Sequence, residues 1–287
     1  MRDFVFHTPS TLPEAFKLLD SYGEAARPMA GGTALVNFLK QGLLTTEHFV
    51  SLEHLPGFSE IRLEGDGIHI GALARHRDVE TSSTVRQYAP LLADVYGRVA
   101  TVRIRNMATV GGGLAHADPA QDPPLGLIVL NARVRLVSSR GDRTLPVAEL
   151  FTDYYETVIQ PGELLTEVIV PVQPPSARGV YLKFLPRTED DYATVAVAAL
   201  AEMDDGTCRR VRVALGAAGP TPIPATTAEE MLAGQAPRAE LIRRAAESVA
   251  EQVDPLSDFR GPADYKRDMA VVFTRRALER ILNGAPA

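Results

Sequence analysis

Thr109-Val110-Gly111-Gly112-Gly113-Leu114-Ala115 sets three glycines between a β-branched pair and a small apolar run, and Pro28-Met29-Ala30-Gly31-Gly32-Thr33-Ala34-Leu35 has similar framing near the start of the chain. Each stands where a loop hands over to a helix. Without Cβ atoms in the way, successive backbone N–H groups there can converge on an anion. A tight turn is the plainer explanation of any one Gly-Gly pair. Two such segments, the second trailed by His116, Asp118 and Asp122, better suit one large ligand carrying a diphosphate and polar hydroxyls. These three side chains also have metal-ligand chemistry, although capping before Pro119 and Pro123 is the simpler role for the aspartates.

Other signatures fail. There is no Gly-Lys pair for a phosphate-binding P-loop, no Gly-x-Ser-x-Gly and no His-Glu-x-x-His, and Gly111 to His116 lacks the last glycine of a Rossmann turn. Arg103-Ile104-Arg105 could grip an acidic ligand, a solvated face being the plainer role, and Arg140-Gly141-Asp142 reads as a hairpin turn rather than a recognition sequence. His7, His48, His54, His69 and His76 are scattered without triad spacing and read as surface or half-buried side chains. Cys208, inside a strand pattern, reads as a small buried hydrophobe.

Outward from the glycine segments, Thr11-Leu12-Pro13-Glu14 has the capping-box pattern, with Leu12, Ala15, Phe16 and Leu19 on one helical face and Gly23 as the stop. A second helix is expected from Thr33 or Ala34 to Gln41. Strands are expected at His48 to Ser51 and Ile68 to Leu73, after a turn at Glu64-Gly65-Asp66-Gly67. Leu91, Leu92, Val95 and Val99 predict helix from Tyr88 to Val102, and a further helix runs through Pro123-Pro124 to Leu130. Arg133 to Ser138 and Leu164 to Val170 read as strands.

Pro171-Val172-Gln173-Pro174-Pro175-Ser176 reads as an extended linker, because its prolines cannot donate to a ladder. Beyond it, Val180 to Leu185, Thr194 to Met203 and Cys208 to Leu215 read as three strands, the last two joined at Asp204-Asp205-Gly206-Thr207. Helices are expected at Thr227 to Leu232, Ala239 to Gln252 and Ala263 to Leu282. Strands followed by helices imply an α+β unit with helices on one sheet face.

The 287 residues exceed one ordinary domain. Hydrophobic residues at 45% and charged residues at 23% indicate a globular chain rather than a disordered one. A net charge of −6 argues against a nucleic-acid footprint, and the absence of Trp argues against a stacking platform for single strands. Cys208 is the single cysteine, so this chain cannot form an internal disulfide or hold an iron–sulfur cluster on its own thiolates. The stretch from Met1 to Pro9 places an acid and a proline where a leader needs an apolar run, and no apolar stretch is of spanning length. A cytoplasmic location without membrane insertion is therefore expected.

Several motifs together resemble the FAD-binding medium subunit of the molybdenum hydroxylases, the family of aerobic carbon monoxide dehydrogenase and xanthine dehydrogenase. Ala30-Gly31-Gly32-Thr33-Ala34-Leu35 is similar to that family's first flavin loop, and Arg105-Asn106-Met107-Ala108-Thr109-Val110-Gly111-Gly112-Gly113 through Pro119 to its second. Tyr154 with Pro161-Gly162-Glu163-Leu164-Leu165, Lys183-Phe184, Asp190-Asp191-Tyr192-Ala193 and Arg260-Gly261-Pro262-Ala263-Asp264-Tyr265 continue the likeness along almost the whole chain.

The resemblance implies an α+β fold: a PCMH-type (VAO-like) FAD-binding domain of two α/β subdomains over 1–173, then a smaller α+β domain over 178–287 with a three-stranded antiparallel sheet and helices. It implies non-covalent FAD. Ala30 to Ala34, backed by Leu35, would wrap the diphosphate. Thr109, Val110, Gly111, Gly112 and Gly113 would form a second cradle near the diphosphate and ribityl chain, with His116 and Asp118 lining it and Asp122 bonding flavin or ribityl polar groups. Leu165 would pack near the adenine, and Lys183 and Tyr192 would reach in from the second domain. By its own local pattern Lys183 reads as a solvated edge residue and Tyr192 as core. Gly113 departs from the family, which often has Asn or Ser there, so a side-chain hydrogen bond to the cofactor is expected to be missing.

The implied activity is electron relay: a large partner subunit with the molybdenum cofactor, a small partner with two [2Fe–2S] clusters, and FAD in this chain passing electrons to an external acceptor. The assembly implied is a dimer of heterotrimers, with no catalytic acid–base residue and no metal in this chain. Two other readings remain open at this stage: a self-sufficient FAD oxidoreductase of the same superfamily, and a non-catalytic module binding another phosphorylated ligand.

Overall fold

A computed structural model describes residues 3–65 and 67–283. Met1 and Arg2 of the N-terminal stretch, Asp66 of the expected turn and residues 284–287 lie outside them. The chain begins with β1 (Val5–His7), α1 (Leu12–Tyr22), β2 (Ala26–Met29), α2 (Thr33–Gln41) and β3 (His48–Ser51). The three strands form a parallel sheet in the order β1-β3-β2. Thr11 Oγ1 accepts from the Glu14 N–H as the capping pattern predicts, but the Glu14 carboxylate turns to the N–H and hydroxyl of Ser10. Ala15, Phe16 and Leu19 are buried against this sheet, and Gly23, at φ +50°, closes the helix onto Leu19 O.

A second subdomain follows: β4 (Ile61–Glu64), β5 (Gly67–Gly71), α3 (His76–Thr81), α4 (Ser83–Tyr88), α5 (Pro90–Gly97), α6 (Val102–Arg105), α7 (Val110–His116), α8 (Pro123–Val129), β6 (Arg133–Ser138), β7 (Gly141–Pro146), β8 (Phe151–Asp153), β9 (Glu156–Thr157) and β10 (Leu164–Val170). Its antiparallel sheet runs β4-β5-β10-β6-β7, so the helical run is inserted between two strands that flank β10. The continuous helix expected from Tyr88 to Val102 is broken. Pro90 denies helical geometry to the residue before it, so Ala89 leaves it at φ −147°, ψ 60° and α5 starts with Pro90; α5 ends at Gly97, and Ala100, at φ 40°, separates it from α6. Arg105 is not on a solvated face. Its guanidinium is largely buried, pairs with Glu80 and donates to the carbonyls of Val99 and Ala100.

The last part comprises β11 (Arg178–Phe184), β12 (Val195–Asp204), β13 (Thr207–Gly216), β14 (Ile223–Pro224), α9 (Thr226–Leu232), α10 (Ala239–Glu247) and α11 (Ala263–Asn283). The three expected strands are joined by the two-residue β14, giving an antiparallel sheet β11-β12-β13-β14. Asp205 and Gly206 both have positive φ at the β12–β13 turn, as a type I′ hairpin requires. This sheet has helices on one face, but its other face is not open. Val195, Val197, Ala199 and Ala201 pack toward α9 to α11. The residues between them, Ala196, Ala198 and Leu200, join Tyr181 in the core cluster of the preceding subdomain, with Leu91, Leu92 and Leu125. Alternation along a strand sends neighbours to opposite faces, so β12 is apolar at both parities because both faces are covered. Among the described residues no helix is long and apolar enough to cross a membrane.

Candidate functional site

The two glycine segments lie against each other on the wall of a cavity of about 820 Å³, within the range of ordinary cofactor pockets. The first is the connection from β2 to α2. Gly32 is left-handed at φ +71° and precedes the first turn of the helix. The N–H groups of Gly32, Thr33, Ala34 and Leu35 have no protein acceptor among the described residues, as expected of a helix start. Together with the positive end of the α2 dipole they have the chemistry to receive an anion.

The second segment differs from that expectation. The Val110 N–H donates to Ala74 O, Gly111 to Ala72 O, Gly112 to Thr109 Oγ1 and Gly113 to Thr109 O. These four donors are therefore used internally, and the glycines serve close approach. A Cβ on Gly111 would lie 2.6 Å from Ala72 Cβ, and one on Gly112 the same distance from Thr109 Oγ1. The loops are tied together by Met107 O, which accepts from Arg75 Nη1 at 2.6 Å and occupies the place a Cβ on Gly31 would need.

Asp122 does not cap α8. It is buried, and its carboxylate accepts from Lys183 Nζ at 2.9 Å and from the Tyr181 hydroxyl. Burial pushes its carboxyl upward, against the opposing pull of Lys183 and Tyr181. Lys183 is no solvated edge residue: its side chain is 3% exposed and also donates to Arg98 O at 3.0 Å. Tyr192 is not core but 47% exposed, on the rim of the cavity, with the Arg260 guanidinium 5.6 Å from its ring centre. Asp118 accepts from the Ala120 N–H at 2.9 Å and from the Tyr155 hydroxyl at 3.3 Å. The His116 ring packs against Phe38 and Tyr155, and its partial burial lowers its basicity.

Ala30, Gly31, Gly32, Thr33, Ala34, Leu35, Thr109, Gly111, Gly112, Gly113, His116, Asp118, Asp122, Leu165, Lys183 and Tyr192 all line this one cavity. Val110 does not: its side chain is buried in the core beneath the loop. Three lining residues carry no signal in the linear pattern. Tyr155 stands at the wall where Tyr154 carries the family likeness, with a positive φ of 59°. His76 is neither surface nor half-buried. It lies under the second loop with Nε2 3.2 Å from Thr109 O and an unpartnered Nδ1, and burial depresses its pKa to about 4. Gln121 donates from Nε2 to Gly113 O at 2.8 Å. Unpaired N–H donors, carboxylate and amide acceptors and a glycine-smoothed wall in one cavity fit a dinucleotide with a hydroxylated chain.

Residues 2–173 match the family pattern described as the FAD binding domain in molybdopterin dehydrogenase, and 180–281 match the CO dehydrogenase flavoprotein C-terminal domain. The chain belongs to the FAD-binding medium subunits of the molybdenum hydroxylases. Within this medium-subunit family it is 35% identical to the carbon monoxide dehydrogenase medium chain of Afipia carboxidovorans, over 96% of each chain. It is 26% identical to the xanthine dehydrogenase FAD-binding subunit of Escherichia coli O157:H7, over 99% of this chain and 98% of that one. A Cu,Mo-CO dehydrogenase structure superposes with a TM-score of 0.95 at 35% identity over 99% of both chains. Quinoline 2-oxidoreductase from Pseudomonas putida 86 superposes at 0.92, with 30% identity over 98% of both. The medium subunit is thus an FAD-binding oxidoreductase component, and the cavity is where its residues fit that cofactor.

Proposed function

We propose that this chain is the electron-transfer flavin subunit of a three-chain molybdenum hydroxylase. It would take electrons from [2Fe–2S] clusters in a small partner, which receive them from a large molybdenum-cofactor subunit, and pass them to an external acceptor. The observation that carries the reading is a flavin-sized cavity in a chain whose single thiol, Cys208, is buried in β13 away from it. With no thiolates for a cluster of its own, such a flavin subunit would receive cluster electrons from another chain. Bound FAD would supply the exchange between one-electron and two-electron carriers, the redox chemistry being the cofactor's own. The protein's part is positional. The start of α2 would hold the diphosphate, Asp122 and Lys183 would hold polar groups of the flavin end, Leu165 would pack near the adenine, and Tyr192 would cover the rim.

The same proposal takes 1–173 as the FAD-binding unit, 178–287 as the unit that completes the cavity, a dimer of heterotrimers as the assembly and the cytoplasm as the location. Purification from the native host tests it. A yellow protein co-purifying with a cysteine-rich small chain and a large chain is expected, and rapid mixing with the complex's substrate should bleach the flavin absorbance. A chain that purifies alone and turns over substrate unaided would instead favour a self-sufficient flavin oxidoreductase.

A further inference from the structure

Gly113 faces the cavity, and the space its missing side chain leaves is not empty. A Cβ built there would lie 3.2 Å from Gln121 Oε1 and 3.3 Å from His76 Nε2. The Gln121 carboxamide is anchored by its Nε2 bond to Gly113 O. Its Oε1 accepts no hydrogen bond among the described residues and is not among the buried orphaned atoms, so it is an available acceptor on the cavity wall. We propose that Gln121 is a cofactor-contacting residue, accepting a hydrogen bond from a hydroxyl of the FAD ribityl chain at the position a side chain on residue 113 would otherwise occupy.

The choice of a hydroxyl follows from charge. Gln121 Oε1 lies beside Asp122 in sequence, and Asp118 lines the same wall. These groups are acceptors, the cation beside them, Lys183, is taken up by Asp122 and Arg98 O, and the N–H groups from Val110 to Gly113 are used internally. A phosphate is disfavoured there and favoured at the free N–H groups of α2, whereas a neutral hydroxyl can donate to Gln121. The geometry also makes positions 113 and 121 alternatives. A side chain at 113 crowds the amide at 3.2 Å and the His76 ring at 3.3 Å, and removing the amide relieves the first of these contacts.

The inference rests on the flavin reading, and the test separates the two. The full-length chain is stripped of flavin and titrated with FAD, followed by flavin fluorescence, and separately with ADP, which has the diphosphate and adenosine but no ribityl group. Gln121→Ala should weaken FAD binding about five- to tenfold, the loss of one hydrogen bond, with ADP binding unchanged and the melting temperature of the stripped protein only slightly lowered by loss of the bond to Gly113 O. Gly113→Ser should weaken FAD by crowding the amide, and the double variant should bind FAD more tightly than Gly113→Ser alone. Unchanged FAD affinity in Gln121→Ala, an equal loss for ADP, or simple multiplication of the two single effects would overturn the assignment. A wild-type chain that binds ADP but not FAD would overturn the flavin reading and this inference with it.

Discussion

His76 carries its ring sealed behind the second glycine loop, against Tyr96, with Nδ1 facing no acceptor or donor among the described residues. In the unfolded chain this imidazole takes a proton near its ordinary 6.5, but in the fold only near 4. Between those values the unfolded state binds the extra proton, so this contribution is fully present above about pH 6.5 and declines as pH falls toward 4. The expected loss is about 3 kcal/mol at most. Urea titrations of the wild type and His76→Gln should diverge in slope across that window, and parallel profiles would show that the ring is not held neutral. At the first loop, Gly32→Asp places a carboxylate where the α2 N–H groups await an anion. Asp tolerates a left-handed backbone better than most residues, at a cost of about 1 kcal/mol. The variant should keep its circular dichroism while losing visible flavin absorbance. The glycine loops were legible because glycine has few reasons to cluster. His76 was not, because nothing in the spacing of one histidine reports what packs over it, and Lys183 and Tyr192 were assigned to the site by family likeness alone.

At the scale of elements, the Lys183–Asp122 pair fastens β11 to the start of α8, two segments far apart in sequence. Lys183→Met leaves a buried carboxylate with only the Tyr181 hydroxyl, and a loss of about 3–5 kcal/mol in chemical denaturation is expected. The Lys183→Met, Asp122→Leu double variant should recover much of that stability while FAD affinity stays low. Recovery of both would remove the pair from the site. Element boundaries were readable wherever local chemistry dominates, as at the Asp205-Gly206 turn and the Thr11 cap. The helix before the second loop is shorter than the apolar spacing of Leu91, Leu92, Val95 and Val99 implies: Pro90 keeps Ala89 out of it, and it ends at Gly97, leaving Val99 outside and Ala100 at positive φ.

Across the whole molecule, the C-terminal sheet is a shared wall. Gly179 and Gly216 sit where α5 and α8 cross it, and Cβ atoms there would lie 3.0 Å from Leu91 and 2.9 Å from Leu125. Gly216→Val should force sheet and helix apart, lowering stability by about 1–3 kcal/mol. FAD affinity should fall with it, because Lys183 and Tyr192 reach the cavity from the same unit; a melting shift with unchanged affinity would show that the wall can move without disturbing the site. The two-faced burial was hidden in the sequence because β12 is apolar at every position from Val195 to Ala201, which erases the alternation that would mark an open face. It also alters what a cut would do. The exposed connection at Pro171 to Ser176 invites a protease, yet Gln173 is held by its N–H to Tyr88 O, and Tyr181, Ala196, Ala198 and Leu200 are embedded in the first unit's core. A single nick there should run as two bands under denaturing electrophoresis and elute as one particle from a sizing column, because the halves complement each other without a peptide bond between them.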